Sequence, residues 1–418
     1  MKRITTLGLL ASLVIPALHA AETRIWTSRK GSTLEAELIR FDDKNVTLLT
    51  KERKEMMLPL VDLSIADRQF LVENSQAPAK ILIEGEVGQP EKQVKLDNGM
   101  FVKLKDSNLT FGTDSESDYE LLQSEHFIVA SAGDIRPQAV AETAERLWHG
   151  MAFQHMNFRR DWGDKRMLIL LVEKPTVYAA LGKWYVGKLK EQGQDDQASK
   201  VMALWDKASG RTIAMPSDMV EKHNIFPETP VLKVSAEQSQ MFKKPMGPFQ
   251  IHVISGALLD RQLGNISGYG VEGLFAVLTG HSYYKEISLA GKSETQLIDV
   301  GGSGNDMFSE KKGFEDGTSW ARTLRSLVKK GDIKCSIEPM FTWKVETLKP
   351  ERLVLIYSFS AYMQSTPARL ASFAAMVRRI ESSKQIPAPI EIAKLFGFET
   401  VAALEADWKL FITEGNFK

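Results

Sequence analysis

The chain has 418 residues, 43% of them hydrophobic and 25% charged, the composition of a globular protein with room for two or three domains. Lys plus Arg and Asp plus Glu are equal at 53 each, a balance that excludes a general nucleic-acid binder, which would carry a basic excess. Cys335 is the single cysteine, so no intrachain disulfide can form, and it reads as a small buried hydrophobe.

Residues 1–20 have the layout of a secretory signal peptide. Lys2 and Arg3 form a basic start, residues 4–17 are apolar apart from Thr5, Thr6 and Ser12, and Leu18 and Ala20 mark a cleavage boundary. The run is shorter than the ~20 residues of a spanning helix, and no cysteine follows that could carry a lipid. Export to the periplasm or the extracellular space is expected. The mature chain would carry 51 basic and 53 acidic groups. No later apolar run is long enough to span a membrane, so no integral segment is expected after cleavage.

Residues 22–75 alternate with period two at 24–27, 34–41, 45–50 and 55–60, separated by short polar breaks, which predicts a small antiparallel meander. Ser64 is a good N-cap, and Asp67 three residues on completes a capping-box-like pattern. This stretch resembles the Sla homology domain of type one, an SH3-like β-barrel. The likeness is carried by Arg24, Trp26, Thr27, Gly31, Glu35, Ala36, Val46, Leu48, Leu58, Pro59, Leu60, Leu63, Ser64, Asp67, Phe70 and Leu71, in order and spacing. It departs before Met56, where charged residues stand and the family often has a glycine. The resemblance implies an adaptor surface for a peptide or protein partner, with Trp26 as its candidate. As the lone tryptophan of a fifty-residue barrel, Trp26 also reads as its largest core residue.

Residues 74–79 break the composition and read as a linker. Residues 80–120 are expected to form a bridging β segment, with strands at 81–87, 93–96 and 101–104. Asp97-Asn98-Gly99 is a hairpin signal, and 113–118 reads as a solvated acidic loop.

From 121 to 418 the pattern is strand 125–130, helix 136–153, strand 166–172, helix 176–186 and a charged exposed stretch at 190–200. Edge strands at 212–215 and 231–234 and a central helix at 247–263 follow. Helices are expected at 319–330, 351–364, 367–382, 387–396 and 400–412. The order up to the central helix is that of the N-terminal half of a zincin. The region resembles the peptidase MA-like gluzincin family through Ser124-Glu125-His126-Phe127, Glu272-Gly273-Leu274, Ala361-Tyr362-x-Gln364-Ser365, Phe396-Gly397, Leu404-Glu405 and Trp408. The expected fold class is therefore α+β multidomain: a small SH3-like barrel, a bridging β segment, then a zincin-like α/β half and an all-helical C-terminal half.

Zinc-peptidase chemistry needs a His at i, a Glu at i+1 and a His at i+4 on one helix face, the histidines for the metal and the carboxylate for the water. Here those positions are His252, Val253 and Gly256, and Glu272 matches the third ligand. One imidazole and one carboxylate are poor anchors for zinc, and Val253 can take no proton. The site reads as dead: no catalytic residue, no metal, no cofactor, and His252 and Glu272 as vestigial ligand positions. Glu173 and Glu286 are further carboxylates that the spacing does not bring there. Gly256 costs ~1 kcal/mol relative to alanine mid-helix and would let a neighbouring helix come close. His126, His149 and His155 read as surface or structural. Gly301-Gly302-Ser303-Gly304 reads as a flexible loop and lacks the Lys-Ser/Thr of a phosphate-binding loop.

Tyr269, His281 and Tyr362 are expected to line a cleft shaped for an extended peptide. The favoured reading is an exported, non-catalytic protein that binds peptide or protein partners. The alternatives are an active zinc hydrolase holding metal with His252, Glu272 and a substitute such as His281, and a structural envelope protein without a groove.

Overall fold

The computed structural model describes residues 23–74, 89–105, 119–207, 210–235, 242–265, 271–295, 312–315, 317–345, 348–415 and 417. The expected leader, the strand at 81–87, the acidic loop at 113–118, Tyr269 and the glycine loop at 301–304 lie outside them. Among the described residues the fold is α+β, with a four-stranded antiparallel sheet, a six-stranded mixed sheet and a helical C-terminal half. No helix among them is long and apolar enough to cross a membrane.

Strands β1 (Arg24–Thr27), β2 (Thr33–Phe41), β3 (Asn45–Thr50) and β4 (Glu55–Pro59) pair in sequence order, each antiparallel to the next. Their alternation puts Trp26, Ala36, Val46 and Leu48 inside, and helix α1 (Ile65–Glu73) adds Leu71 to the same cluster. The Ser64 hydroxyl caps α1 by accepting the Asp67 amide at 3.1 Å. The Asp67 carboxylate does not return to the cap backbone. It accepts the Thr27 amide at 2.6 Å, the Arg24 guanidinium at 2.5 Å and the Ser64 hydroxyl at 2.9 Å, which locks the helix to the first strand. Trp26 is 1% exposed and its indole donates to the Ala36 carbonyl at 3.1 Å. Its ring belongs to the core and offers no partner platform, which corrects that part of the sequence reading.

The bridging segment also differs. Residues 93–96 are not a strand. Pro90, preset for a first helical position, opens the short helix α2 (Pro90–Gln93). Arg146 ties α2 down by donating to the carbonyls of Glu91 at 3.2 Å and Val94 at 2.7 Å. Asp97-Asn98-Gly99 joins no pair of strands. The Asp97 carboxylate accepts the Gly99 amide at 3.1 Å and shapes a single 3-10 turn. Strand β5 (Val102–Leu104) then pairs antiparallel with β6 (Glu120–Gln123), so it forms the edge of the large sheet.

That sheet continues through β7 (Phe127–Ala132), helices α3 (Gln138–Gln154) and α4 (Phe158–Trp162), and β8 (Met167–Val172). Helices α5 (Pro175–Glu191) and α6 (Asp195–Leu204), strand β9 (Gly210–Ala214), helix α7 (Ser217–His223) and strand β10 (Glu228–Lys233) complete it. The order is β5-β6-β7-β8-β10-β9, with β7, β8 and β10 parallel and β9 antiparallel on the far edge. Strand β10, expected at an edge, is interior. The wholly apolar β8, and β7, buried throughout and polar only at Ser131, have the pattern of parallel strands covered on both faces. One face packs on α3 and α8 (Pro248–Gln262), the other on α5 and Trp205. Trp205 lies over Gly182, its indole donating to the Tyr178 carbonyl and the Tyr178 hydroxyl donating back to the Trp205 carbonyl, each at 2.9 Å.

The helical half comprises α9 (Leu274–Ala290), α10 (Trp320–Lys330), α11 (Ile337–Met340), α12 (Pro350–Met363), α13 (Pro367–Ser383), α14 (Pro389–Leu395) and α15 (Val401–Thr413). Helix α9 lies between α8 and α12. A methyl group at Gly256 would sit 2.6 Å from the Ser282 hydroxyl, and one at Gly280 would sit 3.0 Å from the Ile356 carbonyl oxygen. On a third side of α9, buried Lys285 donates to Glu91 at 2.6 Å and to the Gln154 side chain at 2.9 Å. Breaking a buried pair strands the surviving charge. Glu91→Leu alone should therefore lower stability in urea by about 3–5 kcal/mol, and adding Lys285→Met should recover most of the loss. Additive losses in the double variant would show that the pair is not the source.

Candidate functional site

Helix α8 presents the residues on which metal chemistry would depend. Its His252 ring lies edge-on to Tyr283 with centroids 4.4 Å apart, and its Nδ1 is 2.9 Å from Glu286 Oε2. Glu286 is fully buried. Its other oxygen accepts the amides of Glu294 and Thr295, at 2.7 and 3.1 Å, and the Thr295 hydroxyl at 3.1 Å. The carboxylate therefore fastens α8 and the chain that follows α9 to one point.

The two vestigial ligand positions are not brought together. Glu272 is exposed and precedes the N-cap of α9, whereas Glu286 lies near the C-terminal end of that helix. The helix from Leu274 to Glu286 spans about 18 Å. Val253, at the general-base position, packs on the sheet edge: a methyl group at Gly210 of β9 would lie 2.7 Å from Val253 Cγ2 and 3.0 Å from Phe249 Cζ. Gly256, at the second-ligand position, faces Ser282 across the α8–α9 contact, the close approach expected of a glycine there. Among the described residues no group of three or more His, Cys, Asp or Glu is arranged to hold a metal ion.

His281 does not face a cleft. It is fully buried, its ring stacked on Phe373 of α13 with centroids 5.9 Å apart. Burial, with help from Lys285 and His155, pushes its pKa well below the ordinary value. His155 is likewise buried, edge-on to the same Phe373 at 5.8 Å. Burial first and Lys285 second push its pKa from 6.5 to about 3. His126 is structural: its amide and its Nδ1 both meet Glu145, at 2.9 and 2.8 Å, and its ring stacks on Trp148 at 3.4 Å.

Tyr362 is also buried, and it contacts two residues that line a cavity. Its hydroxyl donates to Asp407 at 2.6 Å, and the Arg369 guanidinium lies 4.1 Å from its ring centroid. Arg369 in turn donates to Asp407 at 2.5 Å and to the Ser365 hydroxyl at 2.9 Å. Burial and Asp407 raise the Tyr362 pKa above its ordinary value, so the hydroxyl stays a donor. In front of this group, between α9, α12, α13 and α15, is a cavity of about 890 Å³. Ile287, Leu410 and Phe411 give it an apolar lining, and Ser365, Arg369 and Asp407 polar groups. Neither His281 nor Tyr362 lines it; Tyr362 reaches it only through its contacts with the lining residues Arg369 and Asp407.

Sequence spacing did not bring Glu286 to His252 and missed the Glu91–Lys285 pair. The usable signal was the adjacent charges Lys285 and Glu286 in a 17-residue helix whose other residues are uncharged apart from His281. Charges on such a helix are buried only when paired. The chain matches no protein-family model, no curated protein and no solved structure.

Two expectations follow from this packing. Val253→Glu with Gly256→His restores the metal-binding residue types, but the imidazole would have to displace Ser282. The double variant should bind no zinc in equilibrium dialysis and should lose about 3 kcal/mol or more to overpacking. Full stability with one bound zinc would refute the geometry.

His155 is neutral when folded and titrates near 6.5 when unfolded, so the unfolded state binds more protons between those values. Stability should therefore be complete above pH 6.5 and fall as pH drops, by roughly 3 kcal/mol from His155 alone at about pH 4. Glu381, raised to about 7 by burial and Asp161, acts with the opposite sign, so the measurement is the difference between wild type and His155→Leu. The leucine variant should show the flatter profile in urea titrations.

Proposed function

We propose that the chain is an exported, non-catalytic binding protein in which an SH3-like adaptor barrel is joined to a pseudo-metallopeptidase domain, and that its partner is a peptide or protein. The observation that carries this reading is the surface of α8. Its general-base position is packed on the sheet edge at Gly210, its second-ligand position on Ser282, and its one histidine is committed to Glu286. The helix surface that would display metal and water in a zincin is used for packing. A mixed sheet beside that helix, with three parallel central strands and an antiparallel edge strand next to them, supports the zincin comparison. The four-stranded meander closed by a capped helix supports the barrel comparison.

The same domain keeps a cavity of a size that takes a few side chains of an extended segment, lined by apolar residues and by Arg369 and Asp407. We assign the partner peptide to it. Binding there needs no metal and no general base, so the loss of both leaves this activity intact.

The mature chain, equilibrated with excess zinc and dialysed, should retain far less than the roughly one metal per chain of a three-ligand site. Retention of one zinc that His252→Ala abolishes would replace this reading with the hydrolase. Random short peptides selected on the mature chain should lose binding when Ala361→Trp fills the cavity, and binders indifferent to that change would move the site elsewhere.

A further inference from the structure

A second cavity, of about 390 Å³, lies where the N-terminal module meets the large domain. Arg24, Asp67 and Phe70 line it from one side and His155, Arg159 and Arg160 from the other. Arg24 and Asp67 answer each other at 2.5 Å. Arg159 has no such answer. Its Nε, Nη1 and Nη2 are all buried and have no hydrogen-bond partner among the described residues. One contact is to the Trp148 ring, whose centroid is 5.5 Å from the guanidinium carbon. A contact with a ring face uses none of the five N–H donors.

The carboxylates that act on Arg159, Asp67 and Glu125, do so through space only. Asp67 is already occupied by Arg24, Thr27 and Ser64. Glu35, also on the cavity wall, is held by Lys51 at 2.6 Å. A guanidinium keeps its proton at any ordinary pH, so burial cannot neutralise it, and an unpaired buried cation is costly. His155 adds a second orphan. Both of its ring nitrogens are buried without a partner among the described residues, yet a neutral imidazole must carry one N–H.

We propose that this cavity binds a small oxyanion, a phosphate or carboxylate group, held by the Arg159 guanidinium with His155 as a second donor. A planar fork of donors matches two oxygens of either group, and such charge-assisted pairs are the strong ones. The volume falls at the small end of ligand pockets, enough for the anion and a modest organic body. The site takes one wall from each module, so an occupant would brace the junction between them. It is separate from the cavity of the helical half and does not depend on the partner reading.

The test is thermal unfolding of the whole mature chain at constant ionic strength, in chloride, in inorganic phosphate and in acetate, for wild type, Arg159→Met and Arg159→Lys. Wild type should gain about 2–4 °C in saturating anion, and Arg159→Met should gain nothing. Arg159→Lys, which keeps the charge without the fork, should gain less than wild type. A response to phosphate but not acetate assigns a phosphoryl ligand, and a response to acetate as well assigns a carboxylate. Equal shifts in wild type and Arg159→Met would be a general salting effect and would overturn the proposal, as would no shift in wild type with either anion. If Arg159→Met fails to fold, broadening of the phosphate or acetate resonance by wild type, relieved by the other anion in excess, decides the question. Its absence for both anions overturns the proposal.

Discussion

Helix α9 is the constraint on which the rest of the large domain depends. It is approached closely on two sides because each contact has a glycine, Gly256 from α8 and Gly280 of its own. Its two adjacent charges then point to different neighbours. Lys285 reaches Glu91 and Gln154, on α2 and α3, while Glu286 reaches His252 on α8 and the backbone beyond its own C-terminus. Close approach and full pairing require each other. Small residues bring the helices near enough for short side chains to meet, and only met charges can stay in so dry a place.

This arrangement bears on function because the same contacts occupy the groups that chemistry would need. A carboxylate that orients a histidine is a familiar support for a metal ligand. Here the remaining Glu286 oxygen is filled by backbone and hydroxyl donors, and the next turn of α8 meets Ser282 with no space for a second imidazole. The helix pair gains rigidity from these contacts. What remains open lies on the opposite flank of α9, where Arg369 and Asp407, both in contact with Tyr362, line the cavity together with apolar residues.

Much of the architecture could be read from periodicity. The four strands of the meander and the long helices fell near their expected bounds because period two and period 3.6 survive any tertiary context that buries one face. The failures were local and physical. Residues 93–96 alternate like a strand, but Glu91 is drawn into the core by Lys285, and a helical turn brings it there. Asp97-Asn98-Gly99 has hairpin chemistry without two strands to join. Strand β10 was placed at an edge because nothing local reports how many neighbours a strand will have. At the candidate site the sequence singled out Val253 and Gly256, and the structure packs them on Gly210 and Ser282. The His252–Glu286 contact, across 34 residues, required the helix pairing itself.

Residues 74–79 read as a linker, and the described contacts on its N-terminal side dock the first module on the large domain. Ile65 of α1 is buried in the core of the large domain. Gln69 donates to the Ala371 carbonyl at 3.2 Å, and Glu73 meets Arg378 at 3.1 Å. One helix thus closes the N-terminal sheet on one face and docks on α3 and α13 with the other. The surface ion pair contributes little alone, but the apolar contact fixes the angle at which Asp67, and through it Arg24, faces Arg159. A charge left unpaired at such a junction is held there by packing on both sides, so the energy of any anion that pairs with it goes directly into keeping the modules together.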